Sequence, residues 1–194
     1  MKIFYELAYW VGTIAQVVIR YPYQKTAKAG VKTMQLVSLI EKILLVLLTL
    51  VAAFIPLIYS LTHWLDFANY RLPIWLGLCG LLILVVSLFV FWRAHSDLKA
   101  NWSPSLEIRA DQTLVMDGIY RLIRHPMYLS QLLWAIAQIL LMQNWLAGPL
   151  NLLFFILFYF LRSRAEEKMM LDRFGDQYRT YMQTTGGIIP KRML

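Results

Sequence analysis

The sequence predicts an all-α fold: a polytopic transmembrane bundle of about five helices, ending in a helical hairpin and a cytoplasmic tail. Two observations predict it. Of 194 residues, 59% are hydrophobic and only 15% charged, well past the apolar share of an ordinary soluble domain. The apolar residues also gather into runs long enough to cross a bilayer.

In chain order, residues 3 to 19 are apolar apart from Glu6 and Gln16 and form the weakest of five predicted spans. Glu6 interrupts this segment and no small-residue cleavage pattern follows it, so a cleaved signal peptide is not expected. Residues 36 to 61 exceed the roughly 20 residues a crossing needs, although Glu41 and Lys42 lie near one end. Residues 72 to 92 make a clear third span. Residues 127 to 143 and 146 to 161 are shorter, and the connection "QNWLAGP" is tight enough to predict an antiparallel hairpin.

Charge placement gives an independent reading of the same count. The segments 20 to 35, 93 to 126 and 162 to 194 fall on one side and carry Arg20, Lys25, Lys28, Lys32, Arg93, Lys99, Arg109, Arg121, Arg124 and seven Lys or Arg in the tail; the other side has Arg71 and little else. Lys and Arg collect in cytoplasmic loops, so the C-terminus is expected inside and the N-terminus outside. The net charge of +8 then follows from topology and anionic lipid, and no nucleic-acid partner is implied.

Other chemistry finds little support. Cys79, mid-span and alone, excludes an intrachain disulfide and a CxxC redox pair, and reads as a small packing residue. His63, His95 and His125 lack metal-ligand spacing, so no metal is expected. There is no Gly-rich phosphate loop, internal repeat or low-complexity tract.

The polar residues that remain are organised around the last hairpin. In "GIYRLIRHPMY", Pro126 suits the first turn of the fourth span, His125 falls at its cap, and the N–H groups of Met127 and Tyr128 point outward with the positive end of the helix dipole. That is an anion site. In "LRSRAEEKMM", Arg162 and Glu166 share a helix face, as do Ser163 and Glu167. The short connection sets the two clusters side by side, giving a pocket suited to a zwitterion plus a second acidic group. Plainer readings stand beside this one: solvated Arg–Glu pairs, Arg121 and Arg124 as positive-inside cations, Tyr120 and Tyr128 as interfacial aromatics, and Asp117-Gly118 as a simple turn.

The order "TLVMDGIYRLIRHPMY", a helical hairpin, "RAEEKMMLDRFGDQYRTYM" and "GGIIP" closely resembles the isoprenylcysteine carboxyl methyltransferase family of integral-membrane methyltransferases, over about residues 112 to 190. The small size fits a prokaryotic member. One departure is Ser130, where the pattern usually has glycine; a serine there is expected to add bulk beside the site and affect substrate choice.

The resemblance implies S-adenosylmethionine as methyl donor, with S-adenosylhomocysteine as product. It implies one membrane domain over 1–194, with an N-terminal three-helix part, 1–111, and a cofactor-binding catalytic part, 112–194. Thr113, Leu114, Val115 and Tyr120 would line the nucleoside and methionine portions. His125, Pro126, Met127 and Tyr128 would hold the methionine carboxylate at the helix start. Glu166, with Glu167 in support, would take the ammonium or ribose hydroxyls, and Tyr178 and Tyr181 would support or cap the pocket. Arg162, the expected catalytic partner of Glu166, maps to a position that holds the acceptor carboxylate. The acceptor would be lipophilic, such as a prenylated cysteine, drawn from the bilayer; no protein partner is specified. The alternatives are a phospholipid or lipid amine methyltransferase, a sterol-reductase-like enzyme using NADPH, and a non-catalytic lipid-binding module.

Overall fold

The computed structural model describes residues 1–27, 32–35, 39–102, 107–109 and 112–191. Lys28 and residues 36–38, assigned above to the first inner loop and the head of the second span, lie outside them. Among the described residues the fold is carried by the helices α1 (Lys2–Ala27), α2 (Leu39–Thr49), α3 (Ile55–Leu61), α4 (Ile74–Leu98), α5 (Pro126–Met142) and α6 (Pro149–Thr184). The expectation of an all-helical chain needs one addition. Strands β1 (Lys32–Gln35) and β2 (Glu107–Arg109) pair antiparallel, with Gln35 opposite Glu107.

Among the described residues two helical rods are long and apolar enough to cross a membrane, Lys42–Leu61 and Ile74–Leu98, and only 22% and 33% of their most apolar windows are buried within the fold. Their outward faces present Val46, Leu82, Val85 and Phe89, a surface that suits hydrocarbon rather than water. Cys79 lies on such a face, exposed. The sequence reading of it as a packing residue is therefore corrected: helical phase turns it away from the neighbouring helices.

The first rod joins α2 to α3 through a π turn, Leu50–Phe54. Pro56 has no N–H for the Ala52 carbonyl one turn back, and the Tyr9 hydroxyl takes that carbonyl instead. Gln138 Nε2 donates to Val51 O at 3.0 Å. In a bilayer each unpaired backbone group costs several kcal/mol, so α1 and α5 are pinned to the π turn. Tyr9 also reaches Gln138 Oε1 at 2.9 Å, and Asn151 Nδ2 donates to the same oxygen at 2.7 Å. These bonds draw α1, α5 and the start of α6 together.

Helix α4 packs most closely on α5, and α1 packs against both; α5 meets α6, and α6 meets α2. Small residues permit the closest approach. A Cβ on Gly80 would come within 2.8 Å of Leu140 Cβ. Ser130 belongs to this interface: its hydroxyl donates to Met127 O at 2.8 Å, and Ser87 donates to Ser130 O at 2.8 Å. The expectation that Ser130 adds bulk beside the site is thus corrected, because the side chain is spent inside the α4–α5 seam.

Helices α5 and α6 run antiparallel, joined by residues 143–148. Asn144 organises that connection, accepting from Leu146 N and Ala147 N and donating to Leu65 O and Asn69 Oδ1. The fifth predicted span, 146 to 161, begins instead at Pro149, and its helix continues without a loop to Thr184, broken only at Gly175 (φ 53°, ψ −126°). One helix therefore carries both the apolar segment and the Arg162–Glu167 cluster.

Candidate functional site

The site is assembled from the start of α5, the middle of α6 and the turn between α4 and α5. Residues Gly118–Arg121 form a 3-10 turn. Asp97, near the end of α4, fixes this turn by accepting from Ile119 N at 2.8 Å while pairing with Arg93 at 2.9 Å. Gly118 sits at φ +60°, and a Cβ there would meet Asp97 Oδ2 at 2.2 Å. Both the left-handed backbone and the close carboxylate demand glycine. Gly118→Ala is expected to destabilise the protein by about 2 kcal/mol, read as a lower melting temperature in detergent.

The turn places Tyr120, whose hydroxyl donates to Ala94 O at 3.3 Å and whose carbonyl accepts from Tyr181. Burial pushes the Tyr120, Tyr178 and Tyr181 phenols up, so all three remain neutral donors. Tyr120 and Tyr128 are buried, which removes the interfacial-aromatic reading.

His125 caps α5 without a side-chain cap bond, and Pro126 opens the helix. By helix geometry the N–H groups of Met127 and Tyr128 have no partner within the helix. The His125 imidazole points to α6, where Nε2 lies 3.0 Å from Glu167 Oε1; a carboxylate only accepts, so Nε2 carries the proton. Arg124 Nη2 reaches the same oxygen at 2.6 Å, and its Nη1 donates to Met182 O and Thr185 O. Arg124 N and His125 N also donate to Gly186 O and Gly187 O, so "GGIIP" straps the end of α6 beneath the start of α5. Arg124 is 10% exposed at its side chain. It clamps the start of α5 to α6.

The Glu167 carboxyl is held at about 2, well below its ordinary 4.5, first by the His125 hydrogen bond and then by Arg124, against the opposing effect of burial. A depressed carboxyl stabilises fully above its unfolded value, and this contribution fades as pH falls from about 4.5 toward 2. Glu167→Gln is expected to cost about 1.5 kcal/mol at neutral pH, below the range for a stranded buried charge because Arg124 keeps two carbonyl acceptors. It should also flatten the acid arm of a melting-temperature profile taken from pH 6 to 2.5.

On the next turn of α5, the Tyr128 hydroxyl donates to Glu166 Oε2 at 2.6 Å and accepts from Arg162 Nε at 3.0 Å. The Arg162 guanidinium stacks 5.4 Å from the Phe158 ring centre. Two sequence clusters some 35 residues apart thus meet at one hydroxyl.

This trio forms one wall of a cavity of about 460 Å³ between α1, α2, α5 and α6, within the range that takes a drug-sized ligand. Of the residues expected at the site, Thr113, Leu114, Val115, Tyr120, His125, Pro126, Met127, Tyr128, Arg162 and Glu166 line it, as do Tyr178 and Tyr181; Glu167 does not, being committed to the clamp. Asn101 was not anticipated: its Oδ1 accepts from Thr113 N at 2.9 Å and holds that segment at the rim. Away from the polar wall the cavity runs on among Val17, Leu45, Leu48, Ala53 and Phe155. Among the described residues no group of three His, Cys, Asp or Glu is placed to hold a metal ion.

The model of the isoprenylcysteine carboxyl methyltransferase family matches residues 75–172. A protein-S-isoprenylcysteine O-methyltransferase of Tribolium castaneum is 29% identical over 69% of this chain and 50% of its own length. A similarly named protein of Arabidopsis thaliana is 26% identical over 72% of each chain. The solved structure of the eukaryotic intramembrane Ras methyltransferase ICMT superposes with a TM-score of 0.54 at 27% identity, covering 78% of this chain and 51% of that one. The chain spans about half the length of the first of these relatives and of the solved structure.

Proposed function

The chain belongs to the isoprenylcysteine carboxyl methyltransferase family, and on that premise we propose that it is a membrane-embedded methyltransferase using S-adenosylmethionine to methylate the carboxylate of a lipophilic acceptor such as a prenylated cysteine. The observation that carries the reading is the junction of Arg162, Tyr128 and Glu166 on the wall of a cavity that is polar at one end and apolar at the other.

The donor set fits S-adenosylmethionine. Thr113, Leu114 and Val115 offer an apolar and backbone-lined edge for the nucleoside, the open N–H groups of Met127 and Tyr128 suit the methionine carboxylate, and Glu166 suits the ammonium. When bound, the cofactor supplies an electrophilic sulfonium methyl group. The protein's own contribution is alignment and exclusion of water. Arg162 holds the acceptor carboxylate, which is already ionised at neutral pH and needs no general base. Tyr128, fixed between Arg162 and Glu166, sets the spacing between acceptor and cofactor groups. In this reading residues 112–194 supply the cofactor half of the site, and the helices of 1–111 supply much of the acceptor half.

The same reading takes the chain as five membrane crossings ending in the α5–α6 hairpin, with the N-terminus outside and the active site and C-terminus on the cytoplasmic side. The Lys and Arg asymmetry supports that orientation. Calorimetric titration of the purified protein tests the cofactor: S-adenosylmethionine and S-adenosylhomocysteine are expected to bind and NADPH is not. The reverse pattern would point to a reductase.

A further inference from the structure

The cavity holds a second guanidinium, on a helix outside the family match. Tyr9, Thr13, Gln16 and Arg20 of α1 recur at the spacing of one helix face, and all four line the cavity. The outer two are satisfied: Tyr9 by Ala52 and Gln138, and Thr13 by donating to Tyr9 O at 3.0 Å. The inner two are not. Gln16 Nε2 is buried with no hydrogen-bond partner among the described residues. The Arg20 guanidinium lies 5.8 Å from the Phe91 ring centre and 5.5 Å from that of Trp102. Those aromatic contacts position the charge while leaving its N–H edges for another group. Among the described residues no carboxylate lies within ion-pair distance of Arg20.

The charges on the cavity wall say what kind of group suits this end of it. Arg20 and Arg162 act on one another's charge, and among the described residues the lining contains a single carboxylate, Glu166. Arg124, the third guanidinium of the lining, is neutralised by Glu167 outside it. A sulfonium donor with one ammonium and one carboxylate adds a further net positive charge. An anionic acceptor head would be drawn to the Arg20 guanidinium, whereas a cationic head would be repelled by it.

We propose that Arg20, assisted by Gln16, is a specificity-determining residue that receives the anionic head of the acceptor opposite Arg162, so that the protein selects lipophilic acids over the corresponding neutral or amine lipids. This rests on the methyltransferase reading and assigns acceptor selection to a residue of α1. Gln16 supplies a neutral donor one turn from the charge, suited to a carbonyl beside the acid.

The test uses the full chain in detergent, loaded with S-adenosylhomocysteine and titrated with farnesylated N-acetylcysteine or its carboxamide. Quenching of tryptophan fluorescence reports binding, since Trp102 and Trp134 line the cavity. The wild type is expected to bind the acid at least tenfold more tightly than the amide. Arg20→Gln should reduce that ratio to threefold or less with S-adenosylhomocysteine affinity unchanged, and Arg20→Lys should recover part of it. A structural role would lower both affinities together and leave the ratio alone. An unchanged ratio in Arg20→Gln, or loss of S-adenosylhomocysteine binding with the ratio intact, overturns the proposal. The two readings fail separately. Methyl transfer to the acid with an Arg20-independent ratio sinks this inference alone, whereas an Arg20-dependent ratio without methyl transfer to any lipid acid sinks the methyltransferase reading and leaves anion selection standing.

Discussion

Arg162→Ala is expected to lower kcat/KM for a prenylcysteine acceptor by about 100-fold while leaving S-adenosylmethionine affinity within a few-fold. A hydrogen bond to a charged group contributes about 1.5–3 kcal/mol, and each 1.36 kcal/mol is about a factor of ten. The upper end applies because the Arg162 guanidinium is already oriented, with Nε on the Tyr128 hydroxyl and its plane near Phe158. Arg162→Lys should recover only part of the loss: an ammonium keeps the charge but not the planar fork that matches a carboxylate. Steady-state kinetics with radiolabelled donor, beside a donor-binding titration, measures both quantities. Equal loss of donor affinity and turnover would place Arg162 on the cofactor side.

Glu166→Gln is expected to show the complementary pattern. The substitution keeps the shape and an oxygen for the Tyr128 hydroxyl, now 2.6 Å from Glu166 Oε2, and removes only the charge. Loss of a charge-assisted bond to the cofactor ammonium, worth about 2.5 kcal/mol, weakens S-adenosylmethionine binding roughly 70-fold. Because Arg162 reaches Glu166 through Tyr128, the two variants are coupled. The double variant Arg162→Ala with Glu166→Gln should lose less than the product of the single losses. Full multiplicativity would mean that the Tyr128 bridge plays no part.

The contrast between what the sequence disclosed and what it concealed follows from distance along the chain. His125, Pro126 and Tyr128 were legible because the start of a helix is a local event, set by a proline and three neighbouring residues. Arg162 and Glu166 were legible because a spacing of four shares a helix face. Their meeting needed only a short connection, and Asn144 holds that connection through bonds to its own neighbours.

Arg124 and Arg20, counted above with the positive-inside charges, have partners that the sequence concealed for the opposite reason. The partners of Arg124 are Glu167 and the Met182 and Thr185 carbonyls, and Arg20 stacks on Phe91 and Trp102. No local spacing joins residues so far apart. Ser130 and Cys79 were misplaced through helical phase, which a sequence gives only after the neighbouring helices are known. The π turn at Leu50–Phe54 shifts that phase within the first apolar rod, and Pro56 is its only visible mark.

The central claim is methylation of a lipophilic carboxylate, and transfer of a labelled methyl group to farnesylated N-acetylcysteine by the purified wild-type protein in lipid tests it most directly. A base-labile labelled product, absent when the acceptor carboxyl is replaced by carboxamide, is the expected result. Labelled product that is stable to base, or no product from protein shown to bind S-adenosylmethionine, would contradict it.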